Sequence, residues 1–543
     1  MTHMSISSLS TALSALRASE SALNTTAHNL TNVNTNGYVR QQVLIKESNY
    51  IHIGKNGTST MSVGLGADIQ SIRQVRDIFL DQSFREESGR KGFYEATASA
   101  IEEIETILGE TEGESFSKIL DDLWTSINEL SKHPDGLETR GSFVQNAVIF
   151  VEKANLIMNQ LNDYQSNVNT EITDQINRIN TIGKEINMLN NTISKAELAG
   201  GNANDYRDLR NMLLDELSTM VSVKYREDKD GALLVSVENV PFVIKGDYVP
   251  MGSMQAEPFS MLIRPSWPHL NEPVFNFDNP IGPQYDNDVG KLKGLILARG
   301  TRSASYLDLS DVNVYNNEIK ESAIMSAQAQ FDNLIHGIVT MINNTISPNL
   351  PGPPQELDTL NAPYGLNGTQ GDEIFSRKFI PRYDAITGEY NEEDPSNQYS
   401  LYSAGNLMIN PDILADYNRI ALSQNLGYDG DSQVASRLLE QWDASFSTLE
   451  PGSTGAMSFR EYYTGFVGNL GNLGYTAKNQ TKNQQLMATQ IDNQRKSLTG
   501  VSSDEELGNM MKYQHAYNAA ARVVTMVDSM IEQVVRSLGL VGR

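Results

Sequence analysis

The stretch SISSLSTALSALRASESALNTTAHNL, residues 5–30, decides how this chain is built. In it Ile6, Leu9, Leu13, Leu16, Leu23, Ala27 and Leu30 fall at spacings of three and four, with Glu20 the one polar member of the row. Side chains so spaced share one helix face, so the stretch predicts an amphipathic helix of about four heptads. The other end of the chain repeats the pattern with Leu507, Met510, Tyr517, Ala521, Val524, Ile531, Val535 and Leu538, interrupted by Gln514 and Asp528. Ahead of it, Ser502-Ser503-Asp504-Glu505-Glu506 reads as a capping-box-like start, with acids where the helix dipole is positive. Neither seam is wide enough to bury a helix on all sides. Each therefore needs a partner: the opposite end, or neighbouring subunits.

Charge sets these ends apart from everything between them. Residues 1–35 carry only Arg17 and Glu20, and residues 507–543 carry a net +2. The whole chain is at −25, so the body between the ends stands near −27. A mean field of that sign repels nucleic-acid phosphates and anionic bilayers, and neither is expected as a partner. Weakly charged apolar ends on an acidic body predict ends that associate and a body that faces solvent.

Working inward, helix is expected over Ser71–Leu108 and Phe116–Leu130, broken by the Gly/Glu run Gly109–Glu114. A longer helix is expected from about Ser142 to Ala199. Its apolar row runs Leu161, Tyr164, Val168, Ile172, Ile176, Ile179, Ile182, Ile186, Leu189, Ile193 before Gly200-Gly201 stops it. Asp205–Val221 makes a shorter antiparallel helix. There the period changes from about 3.6 to 2. Val221, Val223 and Tyr225 alternate, Asp230-Gly231 marks a turn, and Leu233, Val235 and Val237 alternate again. Pro-dense stretches over 250–283 and 348–406 favour short strands and loops, with helical signal at 291–344 and after Pro411. Gly465, Gly468, Gly471 and Gly474 recur every three residues, where each costs a helix about 1 kcal/mol. Either a neighbour approaches that backbone closely, or the helix starts only after Tyr475.

The expected fold class is therefore α+β and multidomain, as its 543 residues require at roughly 150 per domain. Residues 1–37 with 500–543 form a paired, coiled-coil-like terminal domain. Residues 38–220 with 291–345 and 411–499 form an elongated helical domain, and 221–290 with 346–410 one or more β-rich outer domains.

Catalytic chemistry finds no foothold. With no cysteine, thiolate nucleophiles, disulfides and cysteine-held zinc or iron are excluded. The seven histidines form no H-x-H or H-E-x-x-H pair. Gly64-Leu65-Gly66 lacks the third glycine of a dinucleotide loop, and Arg226 stands where a calcium loop around Asp228 and Asp230 needs a carboxylate. No catalytic, cofactor-binding or metal-ligating residue is expected, and no cofactor. No run reaches the 18–20 apolar residues of a membrane span, and Met1–Leu30 shows no cleavable secretory signal. The chain either stays in the cytoplasm or leaves by a route that reads no such signal.

One set of residues is more specific. The segment Ala22–Gln41, with Asn36-Gly37-Tyr38-Val39-Arg40-Gln41 at its close, resembles the amino-terminal signature of bacterial flagellar axial proteins. Arg40-Gln41 after Gly37-Tyr38 resembles the hook-associated branch at the hook–filament junction, the FlgK family. Gly500–Glu506 and then Tyr513-Gln514-His515-Ala516-Tyr517 are similar to that family's closing helix. Ser71–Leu80, Asn204–Arg210 and Gly290–Leu295 extend the likeness inward.

The resemblance implies an extracellular structural protein of the flagellum, exported by the flagellar type III apparatus without signal cleavage. It implies as partners the hook protein, the second hook-associated junction protein, copies of the chain in a helical ring, and a flagellar export chaperone. Ile6, Leu9, Leu13, Leu16, Leu23 and Leu30 would then pack against neighbours, as would Leu507, Met510, Tyr517, Val524, Ile531, Val535 and Leu538. Another axial protein (flagellin, hook protein or the second junction protein) is the nearest alternative. A coiled-coil receptor is disfavoured by the missing span, and an extracellular enzyme by the missing catalytic cluster.

Overall fold

The computed structural model describes residues 2–56, 59–109, 115–258, 260–277, 279–352 and 355–539. The chain opens with α1 (Thr2–Thr31), then turns at a left-handed Gly37 (φ 77°) into a run of four strands. Of these, β1 (Gln41–Glu47) and β4 (Ala67–Gln74) pair antiparallel, while β2 (Tyr50–Asn56) and β3 (Ser59–Gly64) pair with each other. The helix expected from Ser71 therefore begins only at α2 (Ile78–Leu108), because residues 71–74 are already spent in the β1–β4 ladder.

α3 (Phe116–Lys132) follows, capped by Ser115, whose side chain accepts the Lys118 N–H at 3.2 Å. The expected break at Gly109–Glu114 falls, beyond Gly109 itself, outside the described residues. α4 (Leu137–Leu198) spans 62 residues and buries the long row: Leu161, Ile172, Ile179, Ile182, Ile186 and Ile193 have no exposed surface. α5 (Asn204–Met220) returns, and the change of period at Val221 appears as the sheet β5 (Val223–Glu227), β6 (Leu233–Val237), β7 (Val240–Ile244) and β8 (Asp247–Tyr248). Gly231 sits in its turn at φ 78°.

A smaller sheet then joins β9 (Gly252–Gln255), β10 (Ile263–Trp267) and β11 (Glu272–Pro273). After it come α6 (Lys291–Arg299), a short α7 (Val312–Val314) and α8 (Ala323–Ile346). The Pro- and Asn-rich stretch is mostly loop, with β12 (Phe375–Arg377) paired to β13 (Leu407–Ile409). α9 (Pro411–Ala415), α10 (Gln433–Asp443), α11 (Phe459–Thr499) and α12 (Ser503–Gly539) complete the chain. The glycine repeat lies inside α11. A Cβ at Gly474 would come within 3.0 Å of Ile101 on α2, whereas one at Gly468 would meet open space. Close approach explains Gly474 and leaves Gly468 without a packing reason.

By internal contacts the chain forms two compact units: Met1–Ser88, Ile179–Pro250 and Gln484–Arg543 in one, Gly89–Arg178 and Met251–Asn483 in the other. The second unit centres on aromatic rings. Phe116 packs against Phe331, Tyr463 and Phe150 at centroid distances of 5.1, 5.2 and 5.8 Å. The first unit buries the isoleucines of α4 from Ile179 onward beside the β5–β8 sheet. There a Cβ at Gly183 would run into the Phe242 ring.

Candidate assembly site at the paired termini

Within the first unit α1 lies along α12, with β1 and β4 also against α1. The buried face of α1 is made of small and polar side chains: Ala12, Ala18, Ser19, Ala22, Thr25 and Asn29. On α12 the buried positions are Glu506, Ala520 and Val527. The larger members of the expected seams sit at the margins. Leu9, Leu16, Leu23, Leu30, Met510 and Val524 are half-buried, while Leu13, Leu507, Tyr517, Ile531 and Val535 are 38–63% exposed. The side chains of Ile6 and Leu538 lie outside the described residues.

The signature residues at the end of α1 form a polar clamp. Asn29 is its centre and is 1% exposed. Its Nδ2 donates to the Gln41 carbonyl at 2.9 Å and to Glu506 Oε2 at 3.1 Å. Its Oδ1 accepts the Gln41 N–H at 2.9 Å and the Tyr38 hydroxyl at 2.8 Å. Both amide groups of one buried Asn are thus used, as burial demands. Arg40 donates Nε to Glu506 Oε1 at 2.8 Å and Nη2 to Glu505 Oε1 at 2.9 Å, and its backbone N–H takes the Thr499 carbonyl at 2.9 Å. The acids expected to serve the helix dipole are therefore also the anchor for Arg40. Burial opposes the Arg40 charge, but Glu506 and Glu505 more than offset it and raise its pKa.

The clamp extends onto α5. Gln41 Nε2 donates to Asp205 Oδ1 at 2.9 Å, and the Val39 N–H donates to Asp208 Oδ2 at 3.2 Å. Gln74 Nε2 donates to the other oxygen of Asp208 at 2.6 Å. Burial and the neighbouring Asp205, Asp208 and Glu506 carboxylates raise the Tyr38 phenol above its ordinary pKa. Gly37 makes the turn possible, since a Cβ there would overlap the Met212 sulfur as well as strain the positive φ. Close by, Arg495 at the end of α11 donates to Asp215 at 2.7 Å and stacks 4.0 Å from the Phe84 ring. Of the other signature residues, Asn36 and Gln514 are exposed and Tyr513 is half-buried.

Sequence reasoning did not single out Asn29, Glu506 or Asp208 as site residues. Asn29 and Glu506 stood inside the quoted signatures, and an Asn eight residues before a Gly-Tyr turn was the readable signal. Asp208 stood inside the quoted stretch Asn204–Arg210, but nothing there points to its partners, which come from residues 39 and 74.

Burial pushes the Asp208 carboxyl up to about 7, against the lowering pull of the Val39 amide, Arg76 and Gln74. Between its ordinary value near 3.8 and 7 the folded chain keeps a proton that the unfolded chain has released. Stability at the clamp is then fully present below that window and falls as pH rises through 7. Amide protection at residues 38–41, corrected for intrinsic exchange, should accordingly be greater at pH 5.5 than at pH 7.5. Asp208→Asn should flatten that difference, and an unchanged slope in the variant would assign it elsewhere.

Among the described residues no group of three or more His, Asp or Glu is placed to hold a metal, and no helix is long and apolar enough to cross a membrane. What the arrangement can do is tie the two ends of the chain together and present apolar side chains beside the join.

Comparison with known proteins agrees with this anatomy. Residues 101–350 match the family model described as the flagellar hook-associated protein FlgK helical domain. Residues 497–537 match that of the flagellar basal body rod FlgEFG protein C-terminal region. The chain is 27% identical to flagellar hook-associated protein 1 of Bacillus subtilis, over 98% of this chain and 99% of the relative. It is 24% identical to the protein of the same name from Escherichia coli, over 97% and 99%. The flagellar hook junction protein FlgK from Burkholderia pseudomallei shares the fold, with a TM-score of 0.54 at 12% identity over 77% of this chain and all of that one. A terminal helix pair closed by the Asn29–Arg40–Glu506 clamp thus stands in a chain that is similar over nearly its whole length to flagellar hook-associated proteins of the FlgK kind and matches their helical domain over residues 101–350.

Proposed function

We propose that this chain is a structural component of the bacterial flagellum that joins hook to filament, acting by packing and not by catalysis. The observation that carries the reading is the apolar surface left open on α12. Its large side chains Leu507, Met511, Val523, Met526, Met530, Val534 and Val535 are 41–63% exposed, although one face of the same helix is covered by α1. An apolar surface of that extent on a weakly charged helix marks an association site. Head-to-tail contacts between such ends generate an open helical array, as an axial tube requires.

In this reading the subunit reaches the flagellar exterior through the type III export apparatus, attended by a chaperone, and packs between the hook protein, the second junction protein and its own copies. The terminal helices gain their full burial only when those neighbours arrive. Leu9, Leu13, Leu16, Leu23, Leu30, Leu507, Met510, Tyr517, Val524, Ile531 and Val535 supply the packing surface. Immunogold labelling of flagella with attached hooks tests the assignment. A single band at the hook–filament boundary supports it, and label along a whole hook or filament transfers the role to another axial protein.

A second expectation concerns the α1 margin. Leu16→Asp combined with Leu23→Asp should abolish incorporation, because a charge buried without a partner costs several kcal/mol. The thermal transition of the second unit should stay unchanged. Normal incorporation of that double variant would remove α1 from the assembly surface.

A further inference from the structure

The first unit carries an apolar groove of about 620 Å³ between α4 and α5, away from the clamp's polar core. Its α4 wall is Glu185, Met188, Leu189 and Thr192, at spacings of three, four and seven. Its α5 wall is Leu209, Met212, Leu213 and Glu216, with the same spacing. Two helices that each present one such face over two turns make a seat for a third helix. The seat is open: Met188 is 59% exposed, Leu209 51% and Met212 36%.

We infer that this groove receives α12 of a second copy of the chain, through the row Val523, Met526, Met530 and Val534. Those four side chains lie three, seven and eleven residues along one helix face and are 41–55% exposed, because α1 covers a different side of α12. Length matches, since the first three anchors also span two turns. Charge matches too. Glu185 and Glu216 rim the groove, and Arg522, which directly precedes Val523, brings a cation to that rim, while Asp528 and Glu532 fall on the opposite side of α12. Methionines on both sides, Met188 and Met212 against Met526 and Met530, give unbranched side chains that adapt to one another's shape. Met212 is also the residue that backs Gly37, so the groove shares a wall with the clamp. A helix docked there would press on the turn that holds the two ends of the receiving chain together.

The inference rests on the assembly reading above and names the surface that takes the neighbour. The chain contains no cysteine, so paired single substitutions report contact without background. Full-length Leu209→Cys and Met526→Cys chains, carrying different tags, are produced together in cells lacking the natural protein. Flagella with hooks are then isolated and treated with a short bis-maleimide. The expected product is a two-chain adduct bearing both tags, at least tenfold above that of Asn191→Cys with Met526→Cys, since Asn191 is exposed on another side of α4. Met188→Cys in place of Leu209→Cys guards against a folding defect in the first variant and should give the same adduct.

Adduct no higher than the Asn191 pair, in flagella that contain both chains, overturns the inference and leaves the junction reading standing. A dominant adduct between two Met526→Cys chains overturns it as well, by placing two α12 stripes face to face. So does a dominant adduct to a different axial protein, which would give the groove another occupant. Absence of both chains from the flagella overturns the assembly reading and this inference together.

Discussion

Arg40→Ala is expected to release the start of α12 and to stop the chain from assembling. The substitution leaves Glu506, 2% exposed, with only the Asn29 amide for company. Breaking a buried ion pair from one side costs about 3 kcal/mol or more, because the orphaned charge stays in a poorly solvated place. The loss should be local. Hydrogen exchange over residues 503–527 should rise by roughly a hundredfold or more, the equivalent of that free energy, while α3, α8 and α10 keep their protection. Glu506→Gln added to Arg40→Ala removes the buried charge and should recover a good part of the protection. If Arg40→Ala exchanges and assembles like the parent, the clamp does not hold the ends.

The second large effect belongs to Gly37→Val. The turn there needs φ 77°, which a β-branched residue adopts only under strain of roughly 1–3 kcal/mol. The new side chain would also collide with Met212, an overpacking cost of a similar 1–3 kcal/mol. Together these should empty the clamp of Tyr38 and Arg40 and abolish incorporation. Met212→Ala on top of Gly37→Val relieves the collision and not the strain, so about half of the lost stability should return. Full recovery would mean that the backbone conformation is unimportant, and none would mean that Met212 is not the obstacle.

Both effects fall on residues that the sequence displayed, yet for reasons it did not display. Gly37, Tyr38, Arg40 and Gln41 stood out as a signature, and the heptad rows announced that the ends were helices in need of partners. The long row from Leu161 to Ile193 and the change of period at Val221 were also legible, because a buried helix face and a half-buried strand write their periods directly into the residue types. What remained hidden was set by contacts distant along the chain. Gln41–Glu47 alternates weakly and its outer side chains are exposed, so its pairing with Ala67–Gln74 left no clear period to read. Residues 71–74 consequently looked like the first turn of the following helix. The clamp was invisible for the same reason: Asn29 and Glu506 are 477 positions apart. The buried faces of α1 and α12 also departed from the leucine rows. Ala22, Asn29 and Ala520 do the closest packing, and small residues carry little weight in a hydrophobic pattern.

That separation along the chain has a further meaning for a protein made from one end to the other. The first unit draws on residues 1–88, 179–250 and 484–543, so it stays unfinished until the third of these segments has been delivered. Asn29 and Arg40 come early and wait for Glu506, which lies 37 residues before Arg543. A chain truncated anywhere before that point, or one still threaded through a narrow passage, presents an open clamp and a bare α1. Closure of the clamp thus acts as a receipt for everything between residues 29 and 506.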